Sequence, residues 1–238
     1  MNVKRIYVVD RNPSLQHHEF GPRWKSHSEL AQRFPELVHQ YPRLAYCATL
    51  ENDVGIPGAS AARGGVGMLW LRSRDLLSAR PVDPTMRPTM QADELRVFTG
   101  LVMDSLLTVD ESVQRDGHGA RFCLLSFLQA RPGLDGAGFL SAWQSQAAAL
   151  LADPQFSPLV RRYVLDAAFG KRSFEADGMA EMWFDSIDDA VQACNTPGYQ
   201  RLVLEEQGTF ALPAPLTLMT EVAHAWSSSD CPFPFPFP

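Results

Sequence analysis

The stretch Phe20-Gly-Pro-Arg-Trp24-Lys-Ser-His27 occurs a second time, in altered form, as Phe139-Leu-Ser-Ala-Trp143-Gln-Ser-Gln146. Each copy follows a short apolar segment and a turn, a pattern that predicts a strand leading into a helix. Phe, Trp and Ser recur at the same spacing, but the last position is His27 in the first copy and Gln146 in the second. The repeat predicts a chain built from two similar halves, of which one has kept a histidine.

Four further pairs of segments support the duplication. Each half contains an apolar strand, a tyrosine-bearing strand, a tryptophan-bearing strand with a short helix after it, and a last apolar strand. The paired strands are 5–9 and 121–125, 44–47 and 162–165, 67–73 and 180–186, and 102–109 and 216–222. The helices are predicted at 74–80 and 186–193, whereas the proline-rich segment 80–92 is typical of a surface excursion. Each half thus has the ferredoxin-like order β-α-β-β-α-β.

One ferredoxin-like sheet carries helices on one face and needs a cover on the other. The sheet of the other half is the simplest cover. We therefore predict an α+β fold in which two ferredoxin-like βαββαβ halves, residues 1–115 and 116–226, form a pseudo-dimeric α+β barrel with antiparallel sheets. The helices would lie outside, with a cavity between the sheets.

The last twelve residues, 227–238, end in alternating proline and phenylalanine. This composition excludes a helix and favours polyproline II. Either the tail frays, or Phe233, Phe235 and Phe237 dock into a groove on this chain or on a neighbouring chain, because three exposed phenylalanines favour aggregation.

Composition excludes several classes of partner. The chain has 238 residues, of which 45% are hydrophobic and 20% charged, which is sufficient for a packed core. The net charge of −6 and the absence of a basic cluster argue against nucleic acid. We expect no membrane partner, since no apolar run spans a bilayer, and a cytoplasmic protein, since the N-terminus lacks a signal-peptide pattern. Four dispersed cysteines predict free thiols and no metal site.

The chain resembles the EthD family of the dimeric α+β barrel superfamily. The resemblance rests on Phe20, Trp24 and His27, with Trp24 and His27 three residues apart, and on Gly178-Met-Ala-Glu181-Met-Trp183-Phe184, which is similar to the family's Gly-x-Ala-Glu-x-Trp-Phe strand. Members usually have one repeat and dimerise, so this tandem chain resembles that dimer fused. The resemblance implies small hydrophobic substrates, often aromatic or polyketide-like, bound between sheet and helices. It does not imply one reaction, because relatives include cyclases, dehydratases, isomerases, cofactor-free oxygenases and haem enzymes.

His27 is the leading catalytic candidate, since an imidazole can take or give a proton near neutral pH. Gln146 can form hydrogen bonds but cannot transfer a proton, so the N-terminal half is predicted to hold the working site. The alternative is a structural histidine that binds a loop. Trp24 lies one helical turn before His27 and is predicted to form a flat wall for the substrate.

The remaining candidates have weaker support. Tyr46 could donate to a substrate carbonyl, and Glu181, on an otherwise apolar strand, could be a buried acid or base with a raised pKa. Tyr163, predicted at the position equivalent to Tyr46, could contribute to substrate binding. Each of these residues could instead serve the core. Trp70 and Trp183 are further candidates for substrate binding, again with a core role as the alternative. His224 is kept as a candidate haem ligand.

These observations predict a cofactor-independent enzyme that performs dehydration, cyclisation or isomerisation on a small hydrophobic molecule, as a monomer or homodimer. Two alternatives stay open. One is a cofactor-free or haem-dependent monooxygenase, and the other is a non-catalytic small-molecule-binding module.

Overall fold

The computed structural model describes residues 2–51, 54–79, 82–212, 216–233 and 237. The strands are β1 Asn2–Val9, β2 Arg43–Thr49, β3 Gly65–Leu71, β4 Leu106–Arg115, β5 Phe122–Leu128, β6 Arg162–Ala168, β7 Gly178–Phe184 and β8 Leu216–Ser227. The α-helices are α1 His17–Ala31, α2 Pro35–Gln40, α3 Met86–Val97, α4 Gly136–Ala152, α5 Ile187–Cys194 and α6 Pro197–Tyr199. A π-helical segment, Gln200–Glu205, and short 3₁₀ turns complete the described chain. None of the described helices is long and apolar enough to cross a membrane.

The eight strands form a closed barrel in the order β1-β3-β2-β8-β5-β7-β6-β4, with antiparallel pairing throughout. One half contributes β4-β1-β3-β2 and the other contributes β8-β5-β7-β6, which is the ferredoxin-like strand order in each case. The halves join along β2–β8 and along β4–β6. The predicted α+β barrel of two sheets is therefore confirmed.

Strand register identifies equivalent residues in the two halves. Trp70 pairs with Arg43, and Trp183 pairs with Arg162, so the two tryptophans occupy equivalent places. Counting from these pairs, Tyr163 is equivalent to Leu44, two residues before the position of Tyr46. The predicted equivalence of Tyr46 and Tyr163 is therefore wrong. The two tyrosines lie on the same face of their sheets, because they are two positions apart, but at different heights along the strand.

The second helix of the N-terminal half lies later than predicted. Residues 74–78 form only a 3₁₀ turn, and α3 begins at Met86, inside the proline-rich segment. Pro88 is compatible with this helix because it lies in the first turn, where backbone N–H groups have no helical partner. Residues 102–105 form a 3₁₀ turn before β4, and the backbone N–H of Val102 donates to Glu94 of α3.

The inside of the barrel is filled with side chains, so the cavity predicted between the sheets is wrong. Inward-facing apolar residues from both halves meet there, including Ile6, Met68, Leu125 and Leu218. Eight strands enclose a space just wide enough for side chains to fill, which explains the packed interior.

A buried ion cluster occupies part of this interior. Lys4 contacts the carboxylates of Glu181, Asp166 and Glu111, at 2.8 Å for Asp166 and 3.3 Å for Glu111. Arg162 lies 3.4 Å from Glu111. These contacts connect β1 and β4 of one half to β6 and β7 of the other, so the cluster links the two sheets.

Two phenylalanines near the C-terminus, Phe233 and Phe237, pack against the barrel interior. Phe237 is only 7% exposed, and its ring lies 5.8 Å from that of Trp70 and 5.2 Å from that of Trp183. Phe233 packs against the same interior cluster, with the guanidinium of Arg43 5.4 Å from its ring. Phe235 lies outside the described residues. The two described phenylalanines thus dock on their own chain.

Both halves hold their long helix against the sheet by the same contact. A Cβ atom on Gly65 would lie 2.7 Å from the ring of Trp24, and one on Gly178 would lie 2.5 Å from the ring of Trp143. Glycine at these places lets each indole lie directly on the strand. The repeated tryptophan therefore positions α1 and α4, and with α1 the side chain of His27.

Candidate active site

A cavity of about 330 Å³ lies between the outer face of the N-terminal sheet and the helices α1, α2 and α3. Its walls are mainly apolar, and a few polar side chains converge on it. The polar groups with most bearing on chemistry are Arg5, Tyr7, His27, Tyr41, Tyr46 and Glu94. A small, largely apolar space with few convergent polar groups is typical of a site for a small molecule.

His27 lies in the wall of this cavity and is only 4% exposed. Its Nδ1 donates to Oδ2 of Asp93, at 2.9 Å, since a carboxylate can only accept. Arg23 and Arg96 lie 3.5 and 4.0 Å from the other oxygen of Asp93. Asp93 comes from α3, so the packing of α3 against α1 sets the orientation of the imidazole.

The protonation state of His27 suits a base. Burial lowers the pKa of His27 below its ordinary value of 6.5, and the hydrogen bond to Asp93 opposes this only in part. The ring is therefore neutral near pH 7. With the proton on Nδ1, the lone pair lies on Nε2, and no described residue forms a hydrogen bond with that atom. This arrangement can accept a proton from a molecule in the cavity.

Two phenols, those of Tyr7 and Tyr46, line the same cavity as His27. Burial raises the pKa of Tyr46 to about 12 and that of Tyr7 well above its usual range, so both remain neutral hydrogen-bond donors. Nε1 of Trp24 donates to the Tyr7 hydroxyl, at 3.3 Å. Tyr7 and Ser28, which lie near the Tyr46 hydroxyl, offset the effect of burial on the pKa of Tyr46 only in part. The phenols can therefore donate to an oxygen that gains negative charge.

Glu94 is a third titratable group in the cavity wall. Burial raises its pKa, while the hydrogen bond from the Val102 backbone lowers it in part. A histidine with a lowered pKa and a carboxyl group with a raised pKa in the wall of one cavity can serve as a base and an acid.

The other predicted site residues lie elsewhere. Trp24 is fully buried behind Tyr46, on which it stacks with ring centroids 4.7 Å apart, and it does not line the cavity. Trp70 and Trp183 face the barrel interior. Tyr163 is buried in the C-terminal half, and its hydroxyl has no hydrogen-bond partner among the described residues.

Glu181 belongs to the interior ion cluster. It accepts hydrogen bonds from Lys4 and, at 2.8 Å, from Nε1 of Trp183. Burial alone would raise the pKa of Glu181, but Lys4 and Asp166 together lower it, contrary to the raised value expected from the sequence. Burial raises the pKa of Asp166 well above its usual range, so the two carboxyl groups of this pair shift in opposite directions.

His224 donates to or accepts from the Ser28 hydroxyl through Nε2, at 3.2 Å, and does not line the cavity. The Nε2 atom of His224, which a haem iron would need, is thus engaged by Ser28.

Sequence reasoning missed Asp93, Glu94 and Arg5. The first two lie on α3, which was hidden by the interpretation of 80–92 as a surface excursion. A usable signal was present, because Met86, Met90, Glu94 and Val97 recur at helical spacing and are the buried residues of α3. For Arg5, a charge within an apolar strand was the available signal.

In the C-terminal half, the face that corresponds to the cavity wall is occupied by packed side chains of the described residues. Its helical face is packed with aromatic and aliphatic side chains, including Phe156, Tyr163, Tyr199, Leu202 and Phe210. Gln146, at the position equivalent to His27, donates instead to the backbone carbonyl of Leu202. The two copies of the repeated motif thus have different surroundings.

Comparisons with known proteins agree with this architecture. A family model described as an EthD domain matches residues 131–214, within the C-terminal half. No curated protein sequence matches the chain significantly.

Three solved structures show the same fold over nearly the whole chain. A candidate monooxygenase from Fusobacterium nucleatum subsp. nucleatum ATCC 25586 has 7% identity and a TM-score of 0.63, covering 95% of this chain and 94% of that chain. An anthrone oxidase-like protein has 13% identity and a TM-score of 0.64, covering 96% and 93%. A candidate chlorite dismutase has 11% identity and a TM-score of 0.57, covering 93% and 95%.

Identities this low establish the fold and leave the reaction to be argued from the site. The family match confirms the resemblance found in the sequence. Residues 131–214 therefore match an EthD domain, and they belong to an α+β barrel that the two tandem halves of this chain form together.

Proposed function

We propose that this protein is a cofactor-independent enzyme that removes a proton from a small hydrophobic molecule, aromatic or polyketide-like, bound between the N-terminal sheet and α1–α3. The observation that carries the proposal is the His27–Asp93 pair in the wall of the cavity. The imidazole is buried, neutral and oriented by a carboxylate, which is the arrangement of a general base.

The cavity supplies the other parts of such a reaction. Nε2 of His27 would take a proton from a carbon next to a carbonyl group, or from a phenol. Tyr7 and Tyr46, both neutral, would donate to the oxygen on which negative charge develops. Glu94, with its raised pKa, would return a proton. Loss of a leaving group then gives dehydration, attack on a second carbonyl gives cyclisation, and reprotonation elsewhere gives isomerisation.

Exchange of substrate hydrogen for deuterium tests the first step directly. The protein would be incubated in D₂O with a hydroxyanthrone and with an aromatic 1,3-diketone, and deuterium uptake would be followed by mass spectrometry. We expect exchange faster than in buffer, abolished by His27→Gln and retained by Gln146→Ala. Binding of both compounds without exchange in the unchanged protein would contradict the proposal and support a non-catalytic binding module.

An oxygenase is the second candidate, favoured by the structural likeness to candidate monooxygenases and an anthrone oxidase-like protein. The first step is the same, because a deprotonated hydroxyanthrone is electron-rich and can react with O₂. Oxygen uptake that depends on His27, in protein without a chromophore, would support the cofactor-free form of this candidate.

The haem-dependent form of the oxygenase is also a proposal. A histidine whose Nδ1 donates to a carboxylate is also typical of a metal ligand, so His27 would hold the iron through Nε2. The group would supply O₂ activation. His224 does not fit this role because its Nε2 is occupied by Ser28. A Soret band in the purified protein, lost in His27→Gln, would support haem binding.

A further inference from the structure

Arg5 is a positive charge in the cavity wall whose identified partners are all neutral. Its guanidinium donates to the Tyr41 hydroxyl and, at 3.1 Å, to the backbone carbonyl of Leu77, and it lies 5.8 Å from the Tyr41 ring. Its Nε is buried without a hydrogen-bond partner, and no carboxylate of the described residues lies within ion-pair distance. These partners fix the guanidinium without neutralising it.

The other charges of the cavity do not compensate Arg5. Arg87 also lines the cavity and forms no ion pair within the part of the chain that the structure describes. Glu94 is the one carboxyl group among the described lining residues, and burial biases it toward its neutral form. His27 is neutral near pH 7. The cavity is therefore positive, although the whole chain carries a net charge of −6.

The C-terminal half supports a connection between this charge and a ligand. By strand register, Arg5 pairs with Leu69 one residue from Trp70, and Leu124 pairs with Met182 one residue from Trp183. Leu124 is thus the equivalent of Arg5, and it packs into the filled apolar face. A guanidinium is present where there is a cavity and absent where there is none.

We propose that the molecule bound in this cavity carries an anionic oxygen group, a carboxylate or an ionised phenol or enol, that binds next to Arg5. A partly buried, uncompensated guanidinium is costly unless an anion neutralises it, and Arg matches carboxylate geometry well. Arg5 and Tyr7 face the same side of β1 about 7 Å apart, so the anion would lie beside the phenols rather than on them. This inference rests on the cavity assigned under the proposed function and names the chemistry of its substrate.

A pair of matched probes tests the inference by binding alone. The probes are 2-naphthoate and the neutral 2-naphthylmethanol, with affinities measured by calorimetry at pH 7.5. We expect naphthoate to bind the unchanged protein at least tenfold more tightly than the alcohol. Arg5→Gln should reduce this preference to less than threefold and leave the affinity for the alcohol within twofold.

Controls separate a local effect from a general loss of charge. Arg121 is an exposed arginine of the C-terminal half that pairs with Glu221 of the same half. Arg121→Gln should keep the full preference for naphthoate over the alcohol. If Arg5→Gln does not fold, salt provides the second test, because added NaCl should weaken naphthoate binding and not alcohol binding. Equal affinity of the two probes for the unchanged protein, or an unchanged preference in folded Arg5→Gln, would overturn the inference.

The outcomes also separate this inference from the proposed function. Equal affinities for the two probes, together with His27-dependent deuterium exchange, would overturn only the inference that the bound molecule carries an anionic group. Failure of both probes to bind would overturn the anion inference. The deuterium-exchange experiment would then test the role of His27 as a base independently.

Discussion

The two halves share their strands and their tryptophan–glycine contact, but they differ on the face that meets the helices. In the N-terminal half this face leaves a cavity with polar groups around it. In the C-terminal half, four of these groups have an uncharged, smaller or apolar counterpart by motif position or strand register. The changes are Arg5 to Leu124, Tyr7 to Ser126, His27 to Gln146 and Tyr46 to Leu165.

This difference shows that the barrel interior and the helical faces have separate roles. The EthD match covers the half whose helical face is filled, and the Glu181 and Trp183 of its characteristic strand point into the shared interior. The interior therefore accounts for the packing of that motif, whereas the cavity depends on residues outside the matched segment. Duplication thus leaves one copy with a filled helical face and the other with a cavity in which we propose the active site.

Exchanging the residues that distinguish the two copies should produce the largest effect. We expect His27→Gln to lower the rate of substrate deprotonation by about 100- to 10,000-fold, the range for loss of a general base. The melting temperature should change little, because Gln146 shows that glutamine is accepted at this place in the fold. Gln146→His should not create activity in His27→Gln, since no described cavity adjoins it. Recovery of activity in that double variant would contradict the proposed functional difference between the two halves.

Truncating side chains tests the difference in packing. Phe156→Ala, in the filled half, should reduce the free energy of unfolding by about 3–5 kcal/mol, because the ring is fully buried. Leu37→Ala, in the cavity wall, should cost about 1 kcal/mol, because its side chain is only half-buried and already borders open space. Urea denaturation of both variants gives the two values. Equal losses would mean that the N-terminal face is packed as tightly as the C-terminal one.

Removing the partner of His27 should have a smaller effect on rate. We expect Asp93→Asn to slow deprotonation by about 10- to 100-fold through loss of orientation. Because Asp93 raises the pKa of His27 against the effect of burial, the acidic limb of the pH–rate profile should also move to lower pH. Asp75→Asn, an exposed carboxylate outside the cavity, serves as the control. A profile with the same limb as the unchanged protein would argue against His27 as the titrating group.

The smallest expected effect is on stability as a function of pH. The pKa of His27 is lower in the folded protein than its ordinary value of 6.5, so the unfolded chain binds more protons as pH falls. The unchanged protein should therefore lose stability below about pH 6.5 relative to His27→Gln, by at most about 1.4 kcal/mol per pH unit. Denaturation curves of both proteins at pH 7 and pH 5 measure this difference. A constant difference between the two proteins would contradict the lowered pKa.

Residue patterns along the chain were sufficient to predict the duplication, the two ferredoxin-like halves and the barrel that they form. Local patterns are sufficient for this, because strand and helix periods and the recurring Phe-x-x-x-Trp-x-Ser frame are written in contiguous residues. The same frame singled out His27, since a comparison of the two copies needs no knowledge of packing.

The position of the cavity and the groups that meet there follow from the packing of the folded chain. The β1 residues Ile6 and Val8 face the interior while Tyr7 and Val9 face the helices, and both sets are apolar, so alternation could not distinguish a filled face from an open one. Asp93 reaches His27 across 66 positions of the chain, through the contact of α1 with α3. Such pairings depend on how side chains from distant segments fill space, which no local pattern of residues encodes.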